Sequence, residues 1–139
     1  MATQQNVSNY AKAIQAQLVS IVGSTVPVYA SFNRNFATET KFITWQLRNV
    51  HQEVFAGQIQ SNKSIDRPIF QISLFTTNMQ DCFDISNTIL QSLHGYSGQF
   101  GGVSGFPIAK ADVAWLYNTY DNEINLHSII MDCTLDIST

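Results

Sequence analysis

The stretch from 126 to 138, LHSIIMDCTLDIS, constrains the fold of this chain more than any other. Ile129, Met131, Cys133, Leu135 and Ile137 alternate with Ile130, Asp132, Thr134 and Asp136. Successive side chains of an extended chain point to opposite faces, so five apolar residues at strict period two predict a long strand with one buried face.

The rest of the chain supplies partners for that strand. Ile43, Trp45 and Leu47 alternate with Thr44, Gln46 and Arg48 from Lys41 onward, and RPIFQISLFTT sets Phe70, Ile72 and Leu74 opposite Ile69, Gln71, Ser73 and Phe75. Pro68 fits the first residues of that second strand, where a missing ladder donor costs least. A third strand is predicted from Pro107 to Trp115, with TYDNE (119–123) as the turn before the last one. The polar segment 51–64 between the first two reads as a hairpin arm projecting from the sheet.

Two helices complete the pattern. Tyr10, Ile14, Leu18, Ile21 and Val22 recur at spacings of three and four, with Asn6 or Ser8 as the cap and Gly23 as the stop, predicting a helix over 6–22. Pro27 resets the chain into the short extended piece VYAS and the polar loop FNRNFATET. A second helix is expected to start at a Thr77–Gln80 capping box, bury Cys82, Ile85, Ile89 and Leu93, and stop at Gly95. Helix, strands, helix, strands specify an α+β fold: a mostly antiparallel four- to five-stranded sheet with two α-helices packed on one face, one domain spanning 1–139.

The loop HGYSGQFGGVSGF (94–106) holds five of the seven glycines and invites a nucleotide-binding reading. A phosphate-binding loop lies between a strand and the helix whose N-terminus receives the anion. This one follows a helix, precedes a strand and contains no Lys. Ser104 lacks the strand-to-helix turn and last glycine of a nucleophile elbow. His51, His94 and His127 are dispersed, and Cys82 and Cys133 lack metal-ligand spacing and read as two buried free thiols. Asp132 and Asp136 read as solvated acids on the polar sheet face. No catalytic, cofactor-binding or metal-binding residue is assigned, and no cofactor is expected.

Charge narrows the partners. Only 12% of residues are charged against 45% hydrophobic, about half the charged share of roughly 25% usual in soluble domains. Low charge on an apolar-rich chain points to a surface covered by other subunits. The net charge of -3, with seven basic residues spread out, disfavours a nucleic-acid groove. No run approaches the roughly 18 apolar residues of a membrane span, and MATQQNVSN does not read as a signal peptide, so the expected compartment is a cytoplasm.

Over residues 66–137 the order of parts resembles the tail terminators, the tail-completion proteins of long-tailed bacteriophages. The parts are RPIFQISLFTT, MQDCFDISNTILQSLHGY, SGQFGGVSG, IAKADVAWL, TYDNEIN and LHSIIMDCTLDIS; the N-terminal half matches only in its helix-strand-strand order. The resemblance implies a structural virion protein that is not an enzyme. It implies a homohexameric ring at the head-proximal end of the tail, which caps the tail tube, stops its polymerisation and presents an interface to the head connector. The partners so implied are other copies of the chain, the major tail tube protein, the head connector or stopper protein and the tape measure protein. DNA would pass through the ring without sequence-specific binding, and no membrane is involved. Candidate contact residues are Phe32, Arg34, Phe36, Tyr96, Phe100 and Phe106 on loops, with Ile130 exposed on the polar sheet face; the glycine-rich loop is expected to become ordered when a neighbour packs on it. The alternatives are a head-closure or connector component and, from another class, a small-ligand-binding protein or enzyme, which requires a concave apolar pocket.

Overall fold

The computed structural model describes residues 7–31, 39–53, 65–99, 107–108 and 110–138. Helix α1 (Val7–Val22) leads through a single 3-10 turn (Gly23–Thr25) into strand β1 (Val28–Ala30). Strands β2 (Lys41–Glu53) and β3 (Ile65–Thr76), helix α2 (Met79–Leu93), the short β4 (Gly98–Gln99) and β5 (Pro107–Ile108), and the long β6 (Lys110–Asp121) and β7 (Leu126–Ser138) follow. Five strands form one sheet in the order β1-β2-β3-β7-β6, antiparallel except for β1, which runs parallel to β2. The α+β fold is as the sequence indicates, and β1 makes the sheet mixed.

The period-two stretch forms β7, second from one edge, with Ile129, Met131, Cys133 and Leu135 all buried. They join Ile43, Trp45, Phe70, Ile72 and Leu74 from β2 and β3 in one core. Tyr10, Ala13, Ile14 and Leu18 of α1 and Cys82, Ile89 and Leu93 of α2 cover it, so both helices lie on the same face. Burying one leucine-sized side chain is worth about 1.5–3 kcal/mol, and this cluster carries the fold. One polar link is set into it: Gln15 of α1 accepts the Trp45 indole N–H at 2.6 Å and donates to the Val28 carbonyl at 3.0 Å, fixing α1 against β1 and β2.

Several boundaries differ from the sequence reading for identifiable reasons. The α2 cap is Asn78 rather than Thr77, its side chain accepting from the backbone N–H of Gln80 at 2.8 Å and of Asp81 at 3.4 Å. Helix α2 ends at Leu93, and Gly95 at φ +79° makes the left-handed exit that glycine adopts without strain. The turn before β7 is Asn122–Asn125 rather than 119–123, because Asn125 takes the left-handed conformation (φ 56°) and β6 pairs through to Asp121. The strand expected from Pro107 is two: β5 pairs with β4, and β6 pairs with β7. β2 and β3 pair as far as Glu53 with Ile65, consistent with a hairpin arm, whose tip lies outside the described residues.

Candidate assembly surface

The side chains left over by the core gather on one edge. β6 pairs only with β7, so its other edge carries no strand within the described chain. Its burial alternates as expected at Ala111 and Val113 and then stops alternating. The register slips between Trp115 and Tyr117, making Leu116 the extra residue of a β-bulge. Before the bulge, Trp115 pairs with the core-facing Met131; after it, Tyr117 pairs with Ile130 on the opposite face. Trp115, Leu116, Tyr117 and Tyr120 are consequently all exposed, Tyr117 by 53%.

Helix α2 extends this surface. The Phe83 ring stacks on Trp115 with centroids 6.1 Å apart and an interplanar angle of 19°, and Met79 is exposed one turn before it. Between helix and strand runs an open groove of about 430 Å³ lined by Phe83, Asp84, Ser86, Asn87, Leu90 and Trp115. Among the described residues, Val19 is the one large apolar side chain left exposed elsewhere. Large contiguous apolar surface on a folded domain marks an interaction site. Asp81, Asp84, Asp112, Asp121 and Glu123, all exposed, lie on the same two elements and the turn that follows.

The candidate contact residues from the sequence are placed differently. Phe32, Arg34, Phe36, Phe100 and Phe106 lie outside the described residues. Tyr96 is half-buried against the core, and its carbonyl accepts from Ala111 N–H at 2.8 Å while Gly95 N–H donates to the Ala111 carbonyl at 2.8 Å. The start of the glycine-rich segment is therefore pinned to β6, and its ends close as the β4-β5 ribbon; the loop at its tip lies outside the described residues. Ile130, expected to be exposed, is only 9% exposed, because it sits on a strand flanked on both sides and is paired opposite Ser73 and Tyr117. The strand expected to Trp115 continues to Asp121, and WLYNTYD contains four large apolar side chains in seven residues without the alternation that would bury them.

The polar sheet face is organised by ion pairs. Arg48 on β2 reaches across β3 to Asp132 Oδ2 at 2.6 Å, and Arg67 Nε meets Asp136 Oδ1 at 3.1 Å. The two aspartates read as solvated acids each hold an arginine. Val113 N–H donates to His94 Nδ1 at 3.0 Å, so that nitrogen is an acceptor and its 3.4 Å approach to Asp112 is not an ion pair. Both cysteines are free and buried; burial pushes the Cys82 thiol up and, with the nearby charges of Asp112 and Asp132, the Cys133 thiol up to about 12. No group of histidine, cysteine and acidic residues placed to hold a metal ion occurs among the described residues.

No known protein family matches the sequence, and no curated protein is similar to it in sequence. Solved structures are similar in fold. A chain of the virion of a native gene transfer agent particle superposes with a TM-score of 0.64 at 13% identity, over 93% of this chain and 97% of that one. The sheath/tube terminator of an extracellular contractile injection system, in its extended state, superposes with a TM-score of 0.55 at 12% identity, over 99% of this chain and 58% of that one. The fold thus recurs in a subunit of a gene transfer agent virion and in the terminator of a contractile injection system. The second match spans little more than half of its counterpart.

Proposed function

We propose that the chain is a structural virion protein of the tail-terminator type. In this reading a single unit over 1–139 assembles as a ring, hexameric, on the head-proximal end of a tail tube, stops its polymerisation and gives the head connector a surface to join. The observation that carries the reading is the recurrence of the whole fold in a sheath/tube terminator, across 99% of this chain. The exposed aromatic edge supports it, since aromatics are enriched in interface cores and an unpaired apolar strand edge is a liability in an isolated domain. The sheet's polar face supports passage of DNA through such a ring: Arg48 and Arg67 are engaged by aspartates, so they offer phosphates little uncompensated charge. Phe32, Arg34, Phe36, Phe100 and Phe106 serve as contacts to the tube, the tape measure protein or the connector. Tyr96, half-buried against the core, and Ile130, covered on the polar face between its flanking strands, yield that role to the edge of β6.

Deleting the gene tests the reading. Overlong tails, or tails that fail to join heads, are expected; tails of normal length joined normally would sink it. Binding to the portal side of heads without capping isolated tubes would instead identify a head-closure component.

A further inference from the structure

The two long edges of the subunit are chemically unlike, and they are complementary. One carries Phe83, Trp115, Leu116 and Tyr117, and its exposed charges are five acids, Asp81, Asp84, Asp112, Asp121 and Glu123, against one base, Lys110 at the start of β6. The other, roughly 19 Å away at about 4.8 Å per strand, is formed by β1 and β2 under α1. There the exposed side of α1 carries Lys12 and Val19 seven residues apart, with half-buried Ala16 between them, and Lys41 opens β2. On the α1 and β2 side Lys12 and Lys41 are basic, Arg48 is taken up by Asp132, and the acids are Glu39, beside Tyr29, and Glu53, at the far end of β2.

We infer that the α2-β6 edge of one copy packs against the α1-β1 edge of a second copy, aromatic side chains on the Val19 stripe and acids facing Lys12 and Lys41. This rests on the ring reading and names the surfaces that close the ring. The geometry argues against the simplest alternative, β6 pairing with β6 of another copy in one continuous sheet. The bulge at Leu116 interrupts the ladder and twists the free edge in the middle of the strand, a device that blocks edge-to-edge addition. A contact between two different patches is head-to-tail, and repetition about a rotation axis closes it into a ring, whereas a β6-β6 contact stops at a dimer.

Mixing two single variants, Val19→Cys and Leu116→Cys, under mild oxidation tests this directly, because Cys82 and Cys133 are buried. Each variant is assembled as purified protein and on tail tubes, and the assemblies are imaged in parallel. The expected result is a disulfide-linked pair that forms in the mixture and not in either variant alone. A Leu116→Cys pair formed alone would overturn the inference in favour of a two-fold contact. Rings without the mixed cross-link would overturn the surfaces while leaving the ring reading intact, and the absence of rings under all conditions would overturn both. As a second readout, Trp115→Ser should raise the concentration needed for assembly by about tenfold or more, as loss of one aromatic anchor does. Asp84→Lys should also weaken assembly, and Lys12→Glu in the same chain should restore part of it; assembly indifferent to the two charge changes would contradict the charge complementarity, and assembly indifferent to Trp115→Ser would contradict the aromatic contact.

Discussion

β7 and β6 are hydrogen-bonded neighbours of nearly equal length, thirteen and twelve residues, yet they solve opposite problems. β7 has a strand on each side, helices over one face and aspartates holding arginines on the other, and its apolar residues from Leu126 to Leu135 are buried. β6 has one neighbour, and past Val113 none of its side chains is buried. The difference teaches where the chain's own folding ends. β7 is completed within the subunit; the outer half of β6, with Phe83 above it, is left exposed by the described chain and is the surface we propose a second copy covers.

Leu74→Ala should strike the self-completed region hardest. The side chain is fully buried between Ile43 and Ile129 in the pairing register, and truncation should cost about 2–5 kcal/mol in denaturant unfolding. A change below about 1 kcal/mol would mean that the β2-β3-β7 centre is not the core.

The Cys133 thiol gives the same region a pH signature. Its folded-state value is raised from 9.0 to about 12, so its contribution to stability is whole below pH 9 and is lost as pH rises from there toward 12. The loss approaches about 1.4 kcal/mol per pH unit within that window. A thiol reagent at pH 8 should leave Cys133 unmodified in the native protein and modify it in denaturant. Modification of the native protein at the denatured rate would contradict its burial.

Asn78→Ala probes the boundary between the two regions, since Asn78 caps the helix that carries Phe83. It should cost about 1 kcal/mol, and Asn78→Asp, which keeps the acceptor, should cost far less. Leu116→Ser should be the mildest change in isolation, within about 0.5 kcal/mol by thermal or denaturant unfolding, because the side chain is already 45% exposed. The same variant should be lost from assembled particles; destabilisation of the monomer as large as that of Leu74→Ala would contradict the division between the two strands.

What was legible in the sequence follows the same division. Where a residue's neighbours come from its own chain, periodicity reports burial: Ile129, Met131, Cys133 and Leu135 are all interior, as are Tyr10, Ile14 and Leu18 at helical spacing. Alternation does not record strand order, so it could not show that Ile130, on the nominally polar face, would be covered on a central strand. Nor could it show that Arg48 would cross a whole strand to reach Asp132, or that a bulge at Leu116 would turn Tyr117 to the other face. The residues of the proposed assembly surface sit where the pattern breaks, as expected of a surface shaped to another subunit's geometry. In WLYNTYD the lack of a period is itself the signal.

Hydrogen exchange of free and assembled protein, read amide by amide, tests the central claim most directly. If β6 is completed by a neighbour, amides from Trp115 to Asp121 and those of α2 around Phe83 gain protection on assembly, while the β3-β7 ladder, already protected, does not change. Equal protection of β6 in both states, with the gain appearing on the polar face around Arg48 and Asp132, would contradict the account and place the interface on the other side of the sheet.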